Sequence, residues 1–321
     1  MKKSIIKKIK IALCCIMAVQ LSFAQTDIDA VMMGKKDFCG GLDFAGSSWK
    51  NYWEGTNKRD NANLGTVSSK NYIVQGNYGI SNKLNVLFSI PYVTTKASGG
   101  TLHGMKGLQD LSLFVKYRPV KKELGSGTFS LYTIAGIFFP TTNYVADFLP
   151  ISIGLHSTNL SLRGMVDYQI NNWFATVSGT YVQRSNVKID RTSYYTTELH
   201  YTSEVRMPNA TSFNFRTGFR NEKLIAEAIL NNWTTHGGFD ISKNNMPFLS
   251  NTMNMTTIGF NAKVYIPKVH GLYFMGGYNY TIAGRNVGQS YNYNAGVLYI
   301  LSIGKQKKSV PDNIQNSVKI K

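Results

Sequence analysis

From about residue 70 onward the chain alternates apolar and polar residues with a period of two, in runs of about ten to fourteen residues. Side chains two apart lie on the same face of a strand, so each apolar series marks one face. Leu84, Val86, Phe88, Ile90 and Tyr92 form one such series, and Leu111, Leu113, Val115 and Tyr117 the next, with Ser112, Lys116 and Arg118 opposite. The rhythm continues through Phe129 to Phe139, Leu160 to Tyr168, Ala175 to Tyr181, Phe213 to Phe219 and Leu224 to Leu230, and ends with runs beginning at Ile258, Leu272 and Tyr291. Two earlier runs, 38–49 and 70–80, bring the expected count to about twelve.

The connections alternate in length. Ser81-Asn82-Lys83, Asn171-Asn172 and Asn221-Glu222 read as tight turns, since Asn tolerates the positive φ of two-residue hairpins, and 120–127 and 267–271 read as modest ones. Longer polar stretches lie between them at 52–69, 96–106, 141–155, 186–208 and 235–253, with a shorter one at 284–289. Outer-membrane barrels have short periplasmic turns and long outer loops. A soluble sandwich also alternates, but its strands average about five to six residues. Aromatic residues near strand ends, at Tyr92, Tyr117, Tyr168, Trp173, Tyr181 and Trp233, suit a membrane-interface girdle. The pattern therefore predicts an all-β fold, a transmembrane antiparallel up-and-down β-barrel of about 12 strands. An open sheet would leave edge groups unsatisfied in lipid.

The chain begins with Lys2, Lys3, Lys7, Lys8 and Lys10, an apolar run to Phe23, and the small-x-small step Ser22-Phe23-Ala24. This predicts a signal peptide over 1–24, a barrel over 25–304, and a basic tail over 305–321. Leu13 before Cys14 argues against lipidation. Only Cys39 remains after cleavage, so no internal disulfide can form. Five positive charges leave with the signal, out of a formal net charge of +18. The remaining bases are scattered, with no Arg-rich helix, which excludes nucleic acid. The expected setting is the outer membrane of a Gram-negative bacterium, with outer-membrane lipid, lipopolysaccharide and a small-molecule solute as partners; the oligomeric state stays open.

Charges facing lipid cost roughly 2–4 kcal/mol at midplane, so those within strands are expected to face a lumen. That inward set is Asp110, Lys116, Arg118, Arg163, Asp167, Arg216, Arg220, Glu227 and Lys263. Bases outnumber acids six to three, which predicts either a net-positive lumen favouring anions or neutral solutes, or a paired network filling a narrow interior. Asp110 could pair with Lys116, Arg118 or Arg163, as part of a salt-bridged wall, or serve to stabilise a turn. Loop aromatics, Trp49, Tyr52 and Trp53 together with Tyr194, Tyr195 and Tyr201, could form a vestibule. His103, His156, His200, His236 and His270 share no metal-ligand spacing. No phosphate loop or catalytic constellation is evident, so neither cofactor nor enzyme activity is expected.

The words Ser89-Ile90-Pro91-Tyr92, then Gly107-Leu108-Gln109-Asp110-Leu111, then Lys116-Tyr117-Arg118 resemble the phenol-degradation meta-pathway transporter family of outer-membrane proteins. Gln109 departs from that pattern where a second Gly is usual. The resemblance implies a barrel and uptake of small hydrophobic or aromatic compounds. The sequence thus suggests a passive channel or transporter for small solutes, or alternatively a closed barrel whose long loops bind a partner.

Overall fold

The computed structural model describes residues 26–242 and 245–303. The expected signal peptide and basic tail lie outside the described residues. The wall consists of twelve long strands, β1 (Asp37–Trp49), β2 (Val67–Ser81), β3 (Leu84–Ala97), β4 (Asp110–Leu124), β5 (Gly127–Pro140), β6 (Asn159–Ile170), β7 (Trp173–Arg184), β8 (Asn209–Arg220), β9 (Leu224–His236), β10 (Asn254–Tyr265), β11 (Leu272–Arg285) and β12 (Tyr291–Ser302). Each pairs antiparallel with its sequence neighbours, and β12 returns to β1 from Asp37↔Ser302 to Ser48↔Tyr291, closing the ring.

The alternation produces this wall directly. Leu42, Leu162, Phe260, Phe274 and Tyr293 stand exposed on the outside, whereas Asn85, Lys116, Thr176, Arg216 and Lys263 are buried within. Apolar side chains outward and polar ones inward invert the soluble arrangement, and closure satisfies every wall strand along both edges. Lipid is the surroundings that suit such a surface. Cys39 is buried and forms no disulfide among the described residues.

Short turns occupy one end. Asn171 and Gly125 adopt positive φ of 51° and 62° there, as tight hairpins require. By the short-turn rule this end is periplasmic. Residues 120–127, expected as a connection, instead continue β4 to Leu124, so the turn is only Gly125-Ser126. The register shifts between Tyr117 and Val120, where Pro119 has no N–H to give the ladder, and pairing then resumes.

The long loops at the other end build cores of their own. Val187, Ile189, Tyr194, Val205, Met207 and Leu249 come from two loops and bury against one another, with Ala146 from a third. Leu64 and Ile151 form a smaller cluster with Val67 of β2.

Candidate functional site

Residues 26–36 do not extend the wall. They run through the barrel interior as a strap near its periplasmic end, held first by charge. Asp29 is buried, and its carboxylate accepts from Lys263 Nζ on β10 at 2.7 Å and from Lys116 Nζ on β4 at 3.2 Å. Lys116 Nζ also donates to the Thr26 carbonyl at 2.9 Å. Asp27 accepts from Arg163 on β6 at 3.2 Å, and Arg163 also donates to Thr180.

Apolar contacts fix the rest of the strap. Tyr132 on β5 donates its hydroxyl to the Ala30 carbonyl at 2.8 Å. Val31 packs on Phe174 and Ile225, and Met33 on Cys39, Tyr273, Met275, Leu298 and Ile300. These partners sit on β7 and β9 and then on β1, β11 and β12, so the strap reaches across the lumen from wall to wall. It leaves the barrel beside β2, where Lys36 N–H donates to the Gly79 carbonyl. A Cβ on Gly79 would fall 2.0 Å from the Gly34 carbonyl oxygen, so glycine is what permits that approach.

The predicted inward residues therefore separate into groups. Lys116, Lys263 and Arg163 meet the strap's two carboxylates. Arg216 pairs with Glu227 across β8 and β9, and its Nε donates to Asn214 at 3.0 Å. Arg220 pairs with Asp167 at 3.1 Å and lies 3.8 Å over the Phe174 ring. Asp110 meets none of the bases expected for it; it accepts from the Tyr144 hydroxyl at 2.6 Å, because it stands at the outer end of β4, far along the strand from Lys116. Burial and this carboxylate push the Tyr144 phenol up from its ordinary pKa. Arg118 sits at the periplasmic rim and donates to the Asn82 carbonyl. The strap's Asp27 and Asp29 thus supply carboxylates absent from the inward set, and Asp43 on β1 is a further acid turned to the interior.

A cavity of about 520 Å³ opens beside the strap. Asn214, Asn231, Asn261, Asn279, Asn292 and Asn294 line it, a wall of amides on β8 to β12. A second cavity of about 210 Å³ shares Asp27, Phe114 and Arg163 with the first and adds Ile134, Phe138, Val182 and Trp233. Trp233 thus faces the lumen and not the membrane interface: it shares the parity of Ile225, Glu227, Ile229 and Asn231, and Arg184 lies 5.3 Å over its ring. Tyr194 is buried in the loop core against His200 and Phe248, whereas Tyr195 and Tyr201 face solvent. No cluster suited to a metal ion occurs among the described residues.

Nothing in the strand pattern announced the strap, yet one signal was present. Six inward bases against three inward acids call for carboxylates from elsewhere, and Asp27 and Asp29 are the acids between the expected signal peptide and the first strand.

No protein-family model and no curated protein sequence matches the chain. The fold is similar to the COG4313 outer-membrane channel from Pseudomonas putida F1, with a TM-score of 0.68 and 13% identity over 87% of this chain and 100% of that one. More distant are the NanC porin (TM-score 0.45, 9% identity, covering 80% of this chain and 98% of that one) and the TodX monoaromatic hydrocarbon channel (0.43, 11%, 88% and 92%). The chain has the fold of an outer-membrane β-barrel, and its apolar outer face suits a membrane.

Proposed function

We propose that this protein is a passive outer-membrane channel for small solutes, and that its strap sets the narrowest point of the path. The observation that carries this reading is a solvent-sized lumen bounded by a strap whose two carboxylates are both paired with bases of the wall. A structural plug needs only apolar packing, whereas polar side chains lining about 520 Å³ of interior space suit solute passage. With Asp27 and Asp29 offsetting Arg163, Lys116 and Lys263, the anion preference anticipated from the strands alone is weakened. The hydrophobic or aromatic substrate suggested by the family likeness has one point of support, the aromatic patch at Phe114, Phe138 and Trp233. Reconstitution in planar bilayers tests the reading. Discrete conductance steps of weak ion selectivity are expected, and a folded barrel that never conducts would overturn it.

The loop core favours one further role. Loops that bury Val205 and Leu249 completely present a fixed outer surface on which a partner can dock.

A further inference from the structure

The interior is chemically two-sided, and this goes beyond the question of whether it conducts. On one side the amides of β8 to β12 form a nearly continuous surface. Asn214 lies opposite Asn231 in the β8–β9 register, and Asn279 opposite Asn292 in the β11–β12 register. An amide offers donors and acceptors together and carries no charge. Two amides of the larger cavity are only partly used: Asn261 Oδ1 on β10 and Gln75 Nε2 across from it on β2 are buried atoms without a hydrogen-bond partner.

The other side carries rings. Phe114 and Phe138 meet edge-to-face with centroids 5.2 Å apart, and Trp233 lines the same smaller cavity. Phe114 also lines the larger one, so the amide wall and the rings border a common space. Between them Arg163 is engaged by Asp27 and Arg216 by Glu227, while the Asp43 carboxylate on β1 borders the same space. An anionic solute would have to break a buried pair or meet the Asp43 carboxylate, and a cationic one would give up most of its hydration for that single carboxylate, and each is costly. A purely apolar solute would strip water from the amides and return no hydrogen bond.

The solute that satisfies both walls has hydroxyls on its edges, C–H faces for the rings, and no net charge. We infer that the lumen binds and passes small polyhydroxylated solutes of monosaccharide or disaccharide size. The hydroxyls would be received by Asn261, Asn279 and Gln75, and an apolar face by Phe114 and Trp233. The inference rests on the channel reading for passage, though not for binding.

Glucose, gluconate and glucosamine share a skeleton and differ in charge, which makes them suitable probes. Proteoliposomes containing the whole barrel should swell several-fold faster in glucose than in isotonic gluconate or glucosamine salts. Asn279→Leu should slow glucose entry, with folding confirmed by heat-modifiable gel mobility. Glucose should also change the tryptophan fluorescence of the detergent-solubilised barrel saturably, and Trp233→Phe should abolish that response. If no solute enters but the saturable response is present, the channel reading falls and the solute class stands. Equal entry rates for the three probes overturn the inference, as does a barrel that neither admits glucose nor responds to it.

Discussion

The carboxylate of Asp29 lies 2.7 Å from Lys263 Nζ and 3.2 Å from Lys116 Nζ, so one residue of the strap joins two strands separated by five others along the chain. All three side chains are almost wholly buried. Asp29→Ala would leave two buried ammonium groups facing each other without a counter-charge, and breaking such a pair costs about 3–5 kcal/mol. Lys263→Met, which leaves Asp29 paired with Lys116, should cost clearly less. Thermal unfolding followed by gel mobility measures both, and equal losses would contradict the bridging role.

Gly79 gives the strap its way past β2. Gly79→Val would drive a side chain into the Gly34 carbonyl, which lies 2.0 Å from even a Cβ at this position. The strap should be displaced while the wall still forms, since β2 keeps its pairing with β1 and β3. Protease sensitivity of residues 26–36 from the periplasmic side should rise in this variant. Unchanged protection would show that the strap does not depend on that close approach.

The expectations from sequence divide along one physical line. The wall was readable because every second residue along Leu160, Leu162 and Val166 meets lipid, and lipid imposes a period of two. Pro119 hid the end of β4 because proline breaks the ladder locally, although pairing resumes at Val120. Trp233 stands near a strand end, as girdle residues do, whereas its parity with Glu227 and Asn231 puts it inside. The strap and the loop core have no period at all: Asp29, Val31 and Met33 each face a different part of the wall, and Val187, Val205 and Leu249 meet only through tertiary packing. Charge imbalance among the inward strand residues was the one sequence signal that pointed to the strap.

The outer loops should loosen independently of the barrel. Leu249 is buried in their core, and Leu249→Ala removes packing worth about 2–5 kcal/mol at such positions. Limited proteolysis should cut within 186–208 or 237–253 sooner in this variant, with the barrel's thermal transition unchanged. A shifted barrel transition would mean that loops and wall unfold as one unit.

Acid should release a second tie in the same region. Arg285 donates both Nε and Nη2 to the Asp240 carboxylate at 2.7 Å, and Asn286 donates to it as well. Arg285 holds that carboxyl below the usual carboxylate range, against a smaller opposing effect of burial. A depressed folded pKa means the tie is fully present above the ordinary carboxylate pKa and is lost as pH falls through the lower folded value. Protection of 237–253 should thus persist at neutral pH and fade only in strong acid. Arg285→Gln should shift that fading to higher pH, and an unshifted profile would exclude this pair as its cause.

The most direct test of the strapped channel is its single-channel conductance with and without the strap. Replacing residues 26–33 with a Gly/Ser stretch of equal length removes Asp27, Asp29, Val31 and Met33 and leaves all twelve wall strands intact. The account predicts discrete steps in the native barrel and distinctly larger steps in the replacement. Equal conductance in the two folded barrels, or none in either, would contradict it.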